Sequence, residues 1–381
     1  MRVAYVAPRF HTNQIPVVKG WLETGNEVLF ISQYTGKSED YSVCEPTVLG
    51  YSGLFHLIDR LYRIINKKKI AHSSNPENFK MHCGFPPVFK LAGGLKTFQP
   101  DVAILRERSI YNIFVYAVCK IKKIPCILYN QTPLYDYEAP KTDILHRIVR
   151  SLTPSKRMTP VMGNPSTGYL DADAVYIPFV MEPQVSPQEK QHFADGKIHV
   201  LCVAKFETRK NILMLIDVVK QLKEKYDLHL TVAGEVSTGH HKEYYQKVQE
   251  YIEQEKLEEV VSLVTNISRD EVFDLYKQTD LFVLPSTGEF ASVSQLEAMA
   301  CSLPVICSDT NGTRCYVEPD VNGQWFKDKN ADDLLFKLEM MIRDKQKLLF
   351  MGEESYRLVC EKYQFDQYKE RILNILNEGH K

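Results

Sequence analysis

The sequence predicts an α/β protein made of two Rossmann-like domains that face each other across a cleft. Its 381 residues exceed a single ordinary core, which holds roughly 100 to 200 residues. Short β-rich runs alternate with amphipathic helical stretches, which is typical of parallel sheets built from βαβ units. The same alternation occurs in both halves of the chain. We therefore expect two sheets of similar design.

The first half predicts the N-terminal domain, residues 1–185. A stretch punctuated by several prolines, from Pro165 to Pro187, separates it from the second half and places the boundary near residue 185. Its predicted strands cover residues 3–6, 28–32, 102–105 and 125–129, and its predicted helices cover residues 14–24 and 111–120.

The second half predicts a C-terminal domain over residues 186–361. Five parallel strands are expected at residues 199–203, 229–233, 260–264, 281–284 and 304–307. The helices between and after them are expected at residues 212–225, 241–254, 269–277 and 294–300. Beyond residue 332 the pattern is helical, with segments at 345–360 and 365–377. Ligands bind at the carboxyl ends of strands in such sheets, so the chemistry is expected there.

Composition excludes several classes of protein. Charged residues make up 25% of the chain and the formal net charge is −1, which is typical of soluble globular proteins and not of nucleic-acid binders. The nine cysteines are scattered, never spaced as C-x-x-C, and therefore indicate reduced thiols of a cytoplasmic protein. Neither a secretory signal nor a run of the roughly 18 apolar residues that cross a membrane is expected.

A strand, a loop and a helix follow one another around Glu289 and Glu297. Ser292 and Ser294 are good N-cap residues, so we expect the amides of residues 293–296 to be unpaired donors that favour a phosphate. Glu289 would lie beside this anion and Glu297 about one turn into the helix. A capping box, in which Glu297 only returns a hydrogen bond to Ser294, is the alternative interpretation.

Two lysines bracket the loop after the strand at 199–203. Lys205 and Lys210 are compact charges on flexible stems, suited to binding a diphosphate and stabilising it as it leaves. A solvated basic turn is the alternative, and Arg209 is expected to be solvated.

These segments resemble the glycosyltransferases of family 4, which have the two-domain GT-B architecture. The resemblance covers residues 199–326 and lies in the run from Val203 to Ile212, in the E-x7-E spacing from Glu289 to Glu297, and in its continuation to Ile306. Further matches are Ala233-Gly234-Glu235, Asn311-Gly312-Thr313 and Val321-Asn322-Gly323. Lys205 stands where an arginine is more usual.

The resemblance implies a role for each matching residue. Lys205 and Lys210 would bind the diphosphate, Glu297 the ribose hydroxyls, and Glu289 the transferred sugar near its reacting face. The backbone at Ala291, Ser292 and Val293 would contact sugar and phosphate. Lys205, Lys210 and Glu289 would be the catalytic residues of a retaining, metal-independent transfer without a covalent intermediate. A C-terminal helix, residues 362–381, is implied to return to the N-terminal domain.

Departures from the family pattern give the acceptor candidates. The first loop, residues 8–14, lacks the usual glycines, so His11, Asn13 or Gln14 is expected to contact the acceptor. Gln131 follows a strand where relatives often have histidine. Arg106 and Arg108 are candidates by position, with an exposed helix-cap cluster as the alternative.

Other signals are interpreted as structural. Asp171 and Asp173 mimic a metal-binding D-x-D but are read as a turn, so no metal is expected. His240 and His241 are read as solvated loop residues. Residues 60–70 and 146–150 mix basic and apolar side chains, which suggests a peripheral contact with an anionic membrane at its inner face, although a solvated helix face is the alternative.

The sequence thus predicts a hexosyl or N-acetylhexosaminyl transferase of glycan or polysaccharide biosynthesis. UDP-sugar is the first choice of donor and GDP-mannose the second, with a glycan, lipid-linked or other hydroxyl acceptor. The alternatives are a nucleotide-sugar epimerase of the same architecture, a non-catalytic sugar-nucleotide-binding protein, and a membrane-recruited assembly partner that binds no nucleotide.

Overall fold

The chain divides into two compact units. The computed structural model describes residues 1–36, 40–67, 78–107, 109–136, 144–163 and 169–378. One unit consists of Met1–Val180 with Phe365–Lys381, and the other of Met181–Gln364. The first boundary falls five residues before the expected position, because the amides of Gln184 and Val185 donate to the carbonyl of Ala300 in the second unit.

The first unit contains a seven-stranded parallel sheet in the order β3-β2-β1-β4-β5-β7-β9, and a two-stranded antiparallel pair, β6 with β8. In chain order the strands are β1 (Arg2–Ala7), β2 (Glu27–Ser32), β3 (Thr47–Val48), β4 (Val102–Arg106), β5 (Cys126–Tyr129), β6 (Tyr135–Asp136), β7 (Arg157–Thr159), β8 (Tyr169–Leu170) and β9 (Ala174–Tyr176).

Helices flank this sheet. The first begins beside Pro16, which suits an initial turn because proline lacks the amide hydrogen that would be unpaired there. Gly25, with φ of +75°, follows its end. The helices within the first stretch of chain are α1 (Ile15–Glu23), α2 (Gly53–Ile65), α3 (Asn78–Cys83), α4 (Val88–Phe98), α5 (Ile110–Ile121) and α6 (Ile144–Leu152).

The last helix of the chain, Phe365–Glu378, packs in the first unit. Its Tyr368 hydroxyl lies 3.2 Å from that of Tyr5, and Phe365 meets the Trp21 ring edge-on with centroids 5.1 Å apart. Gly20 makes room for this contact, since a Cβ there would lie 2.1 Å from the Phe365 ring. The helix begins at Phe365, where the helical pattern predicted it, and not at residue 362 as the resemblance implied. The preceding Gln364 donates through its side chain to two carbonyls of the second unit.

The second unit contains a six-stranded parallel sheet in the order β12-β11-β10-β13-β14-β15. Only five strands were expected, because β15 is short and begins with a glycine. That glycine is required: a Cβ on Gly323 would lie 1.9 Å from the carbonyl oxygen of Val305 on the neighbouring strand. The strands are β10 (Ile198–Val203), β11 (Leu228–Gly234), β12 (Val261–Thr265), β13 (Leu281–Leu284), β14 (Val305–Ser308) and β15 (Gly323–Phe326).

Six α-helices complete the second unit. The final helix of the chain, which belongs to the first unit, is labelled α13. The helices are α7 (Ile212–Leu222), α8 (Gly239–Gln254), α9 (Arg269–Lys277), α10 (Ser294–Ala300), α11 (Ala331–Arg343) and α12 (Lys345–Lys362), followed by α13 (Phe365–Glu378). Within the described ranges, none of the helices has the length and apolar character needed to cross a bilayer.

Candidate functional site

Two neighbouring strands of the second sheet bring the predicted donor residues together. β10 pairs with β13 in parallel, so the loops that follow them leave the sheet at the same edge. The first loop carries Lys205 and Lys210, and the second carries Glu289. This edge is where open α/β sheets bind ligands.

Lys210 and Glu289 form an ion pair between the two loops. Lys210 is 7% exposed, which makes its ammonium far less hydrated than that of a surface lysine. The next residue holds the loops in register, because the Asn211 amide donates to the Pro285 carbonyl and to the Thr287 hydroxyl, both at 2.8 Å. The packing of the two loops therefore brings the Lys210 ammonium and the Glu289 carboxylate together.

Arg209 is exposed, as expected, but it also belongs to this cluster. One guanidinium nitrogen lies 3.0 Å from Glu289 Oε2, and Nε lies 2.9 Å from Glu207 Oε2. Its side chain is half exposed. The sequence signal was the adjacent basic pair, but only the fold shows that both members reach one carboxylate.

Lys205 has a different partner from Lys210. Its ammonium lies 2.8 Å from Glu235 Oε2, at the end of the neighbouring strand β11. Burial acts to raise the pKa of Glu235, but hydrogen bonds from Lys205 and Ser237 outweigh it and lower that pKa. Gly234 allows the strands to approach, since a Cβ there would lie 1.9 Å from the Ala204 carbonyl oxygen. The Ala233-Gly234-Glu235 segment therefore positions Lys205.

His241 is buried, contrary to its interpretation as a solvated loop residue. It lies in the first turn of α8, where its amide donates to the Thr238 hydroxyl, and its Nε2 lies 3.3 Å from Glu207 Oε1. Glu207 also contacts Arg209, so His241 helps to position the loop that carries Lys205, Arg209 and Lys210. His240 beside it is exposed.

The loop after β13 rests on a buried polar network formed by the Asn311-Gly312-Thr313 segment. The Thr313 hydroxyl accepts from the Ser292 amide at 3.2 Å and donates to the Gln295 side chain at 2.6 Å. The Gly312 amide donates to the Glu289 carbonyl at 2.7 Å. A Cβ on Gly312 would lie 2.0 Å from the Phe290 carbonyl oxygen, so only glycine fits.

Helix α10 begins differently from the sequence prediction. Val293 occupies the N-cap position with helical dihedral angles and no side chain caps the helix, so neither serine serves as the expected N-cap. The hydroxyls of Ser292 and Ser294 instead bond to each other at 2.9 Å. The amides of Ser292 and Leu296 are paired, with Thr313 and Val293 respectively. Those of Ala291, Val293 and Ser294 have no acceptor within the described part of the chain.

Glu297 does not close a capping box with Ser294. Its Oε2 accepts from the hydroxyl of the buried Tyr276 at 3.3 Å, and the same hydroxyl lies 3.1 Å from the Ser294 carbonyl. Burial raises the pKa of Glu297, while Arg269 and Tyr276 act against that increase. The Glu297 carboxyl is thus held by Tyr276 of the neighbouring helix α9 and not by Ser294.

A pocket in the first unit collects most of the predicted acceptor residues around Tyr129. The Tyr129 hydroxyl bonds to the side chains of Asn13 and Gln131, and the Arg106 guanidinium lies over its ring, 4.6 Å from the centroid. Arg106 also donates to Gln131 at 2.7 Å. Apolar and aromatic residues complete the lining, among them Tyr5, Val17, Ile104, Met158, Ile177, Phe179 and Tyr368.

Gln131 contacts Tyr129 but does not line this pocket, and two other acceptor candidates are not brought into it. His11 is exposed, accepts from Arg9 and bonds through its amide to Gln14, which itself lines the pocket. Arg108 lies outside the described residues. Asp171 and Asp173 form the predicted turn, and Arg150 pairs with both of them.

Sequence comparison identifies the second unit. Residues 186–358 match the model of the family described as Glycosyl transferases group 1. The second unit is a group 1 glycosyl transferase domain. The motifs that carried the resemblance all lie within the matched residues.

Two curated relatives each match part of the chain. An uncharacterized glycosyltransferase of Methanocaldococcus jannaschii is 26% identical over 204 residues, 52% of this chain and 51% of that protein. An N,N'-diacetylbacillosaminyl-diphospho-undecaprenol alpha-1,3-N-acetylgalactosaminyltransferase of Campylobacter jejuni is 34% identical over 88 residues, 23% of each chain. The matches therefore span about half of the first relative and a smaller part of the second.

Solved structures confirm the predicted fold class over the whole chain. Anabaena HepE in complex with UDP-glucose superposes with a TM-score of 0.71 over 99% of this chain and 100% of that one, at 15% identity. At this identity the likeness establishes the fold alone.

Proposed function

We propose that the protein is a retaining glycosyltransferase that uses a UDP-sugar and needs no metal ion. The observation that carries the proposal is the cluster of Lys210, Arg209 and Glu289 at the carboxyl edge of a group 1 domain. Lys205 extends the positive charge along the same loop. This edge of the sheet therefore offers cations that can bind a diphosphate and a carboxylate that can contact a sugar.

The cations would neutralise the leaving group. A nucleoside diphosphate carries negative charge that grows on the departing oxygen as the glycosidic bond breaks, and fixed ammonium and guanidinium groups stabilise that charge. Three such groups lie on the loop after β10. They supply the role that a divalent ion plays elsewhere, which is why we propose metal-independent transfer.

Glu289 would change partners when the donor binds. In the free protein its Oε2 receives both Lys210 and Arg209. A diphosphate competes for the same cations, which leaves the carboxylate to contact the sugar and to stabilise positive charge near the anomeric carbon. The departing phosphate would then accept the acceptor proton on the same face, so the anomeric configuration is retained.

Glu297 would bind the ribose hydroxyls. The Tyr276 hydroxyl holds one of its oxygens, and the raised pKa indicates a carboxylate that gains from additional hydrogen-bond donors. A ribose diol supplies two such donors. The Ala291, Ser292 and Val293 backbone would lie between the diphosphate and the sugar, with only Ala291 and Val293 providing amide donors.

The acceptor would bind in the Tyr129 pocket of the first unit. Asn13, Gln14 and Arg106 offer polar groups beside an apolar lining, a combination that suits a sugar with an attached apolar carrier or a glycan chain. The Campylobacter relative's name includes a lipid-linked diphosphate sugar, which supports a lipid-linked or glycan acceptor in glycoconjugate or polysaccharide biosynthesis.

UDP-sugars are the proposed donors because HepE was solved with UDP-glucose and the Campylobacter relative is named for N-acetylgalactosaminyl transfer. The transferred group would be a hexosyl or an N-acetylhexosaminyl residue. GDP-mannose is the second choice. The nine cysteines are scattered and never spaced as C-x-x-C, which supports a cytoplasmic location.

The test is thermal stabilisation of the full chain by a panel of UDP- and GDP-sugars, with and without EDTA, followed by product analysis. We expect one UDP-sugar to raise the melting temperature equally in EDTA, and acceptor-dependent UDP release with an α-linked product from an α-linked donor. Stabilisation only with a divalent cation would refute metal independence. UDP release without acceptor would indicate an epimerase, and binding without turnover a sensor.

A further inference from the structure

Helix α2, Gly53–Ile65, exposes an apolar stripe on the surface of the first unit. Six large aliphatic side chains on it are between 39% and 80% exposed: Leu54, Leu57, Ile58, Leu61, Ile64 and Ile65. Their spacing of three, four and seven residues places them on one face of the helix. Isolated exposed leucines are ordinary, but a continuous aliphatic stripe marks a surface that binds something.

The opposite face of α2 is fixed to the unit by aromatic contacts. Phe55 is 1% exposed and packs against Tyr51 and Phe85, with ring centroids 5.4 Å and 5.5 Å apart. Tyr62 stacks on Phe79 at 3.8 Å. The Ser52 hydroxyl caps the first turn by accepting from the Phe55 amide. The aliphatic stripe is therefore presented by a firmly held helix.

Basic residues adjoin the stripe. Arg60 and Lys67 are exposed. At 100° per residue Arg60 lies beside Leu57 and Ile64 on the helix, and Lys67 follows two residues after the helix ends. The Arg63 side chain pairs with Asp59, so the acid adds no net negative charge to this face. From residue 60 to residue 76 the sequence contains five lysines and arginines and neither aspartate nor glutamate.

We propose that α2 docks the protein on an anionic lipid bilayer, with the six aliphatic side chains in the acyl boundary and the basic residues against the headgroups. This is the arrangement that an interfacial amphipathic helix adopts. A second copy of the chain fits the face poorly, because a symmetric contact would bring the same basic residues together. The surface is separate from both candidate ligand sites, so the proposal is independent of the transfer reaction.

The experiment is flotation of the full-length protein with vesicles, in the absence of nucleotide sugar. Vesicles of phosphatidylcholine alone are compared with vesicles that contain roughly one-third phosphatidylglycerol. We expect strong binding only to the anionic vesicles, weakened by salt. The double variant Leu57→Glu/Leu61→Glu should lower the partition coefficient by more than about tenfold.

The matched control is Phe336→Glu/Phe350→Glu, two exposed aromatic residues on helices of the second unit. It should bind vesicles as the unaltered protein does. Circular dichroism melts establish that both variants fold, and Arg60→Gln/Lys67→Gln offers a milder change that should reduce binding and its salt dependence. Equal binding by the Leu57/Leu61 variant, or no binding of the unaltered protein to anionic vesicles, overturns the proposal. Concentration-dependent dimerisation abolished by that variant, without vesicle binding, assigns the face to a second copy instead.

Discussion

Glu289 receives two cations on a single carboxylate oxygen, and this arrangement predicts how its removal affects the two kinetic constants. Lys210 and Arg209 both reach Oε2 from the loop after β10. A neutral amide in place of the carboxylate would leave both cations available to the diphosphate. It would also remove the negative charge proposed to lie beside the reacting sugar.

We expect Glu289→Gln to lower kcat by roughly a hundredfold or more, while KM for the donor stays the same or falls. Initial rates of UDP release at several donor concentrations provide the measurement. Glu318→Gln is the control, because Glu318 also pairs with a lysine of the second unit, Lys362, at 2.8 Å. A rise in donor KM with unchanged kcat would place Glu289 away from the sugar.

Lys210→Ala is expected to weaken donor binding and catalysis together, with kcat/KM lower by roughly two to three orders of magnitude. The reason is that the nearly buried ammonium would contact the proposed diphosphate, which is charged in both the ground state and the transition state. Calorimetric donor affinity and steady-state rates measure the two effects separately. Lys347→Ala, which removes an exposed pair with Asp320, should leave both unchanged. Full activity of the Lys210 variant would contradict the assignment.

At the scale of an element, the end of α9 is held by a buried lysine. Lys190 donates to the carbonyls of Tyr276 and Lys277, at 2.5 Å and 2.7 Å, which are among the unpaired carbonyls of the last turn. Burial lowers the pKa of Lys190 from 10.5 to about 8, although the nearby Cys301 and Asp280 act in the opposite direction. Tyr276 on the same helix also holds Glu297.

This lowered pKa makes a component of stability depend on pH. Between about pH 8 and 10.5 the unfolded chain binds the Lys190 proton more tightly than the folded one, so the free energy of unfolding rises with pH across this window. The Lys190→Met variant lacks this titration. Relative to it, the free energy of unfolding of the unaltered protein should rise by up to about 3 kcal/mol between pH 7 and 10.5. Urea unfolding at both pH values measures the difference. A constant difference would show that Lys190 titrates normally.

At the scale of the whole molecule, segments from the beginning and the end of the sequence contribute side chains to one hydrophobic core of the first unit. Tyr368, Ile372 and Ile375 of α13 are buried with Tyr5 and Trp21 of the first unit. The C-terminal helix is therefore part of the unit that contains the Tyr129 pocket, and Tyr368 lines that pocket directly.

Ile372→Ala is expected to lower the free energy of unfolding of the first unit by about 2 to 5 kcal/mol, because it removes fully buried methyl groups and leaves a cavity. The neighbouring Leu373 is 38% exposed, so Leu373→Ala should cost well under half as much. Chemical denaturation followed by the fluorescence of Trp21 reports on this unit, once the fluorescence of Trp325 is removed by Trp325→Phe. Equal losses for the two variants would show that α13 contributes no core.

The sequence by itself predicted the main strands and helices of the second unit and the residue types of the candidate site. Buried strands and amphipathic helices have distinct periods, so β13, α9 and α10 were predicted with their observed bounds. The short strand β15 was not predicted, because a four-residue run that begins with glycine shows no clear alternation of apolar and polar residues. Lys205, Lys210 and Glu289 were identified because they follow strands, and Glu297 because it lies about one turn into the next helix.

Only the tertiary structure decided which side chain contacts which. The pairing of β10 with β13 brought Glu289 within 3.0 Å of Arg209, and the position of Tyr276 beside Glu297 argues against the capping-box alternative. Each contact joins segments distant in sequence, and the distance between them is fixed by sheet order and loop packing. Local periodicity carries no information about that distance.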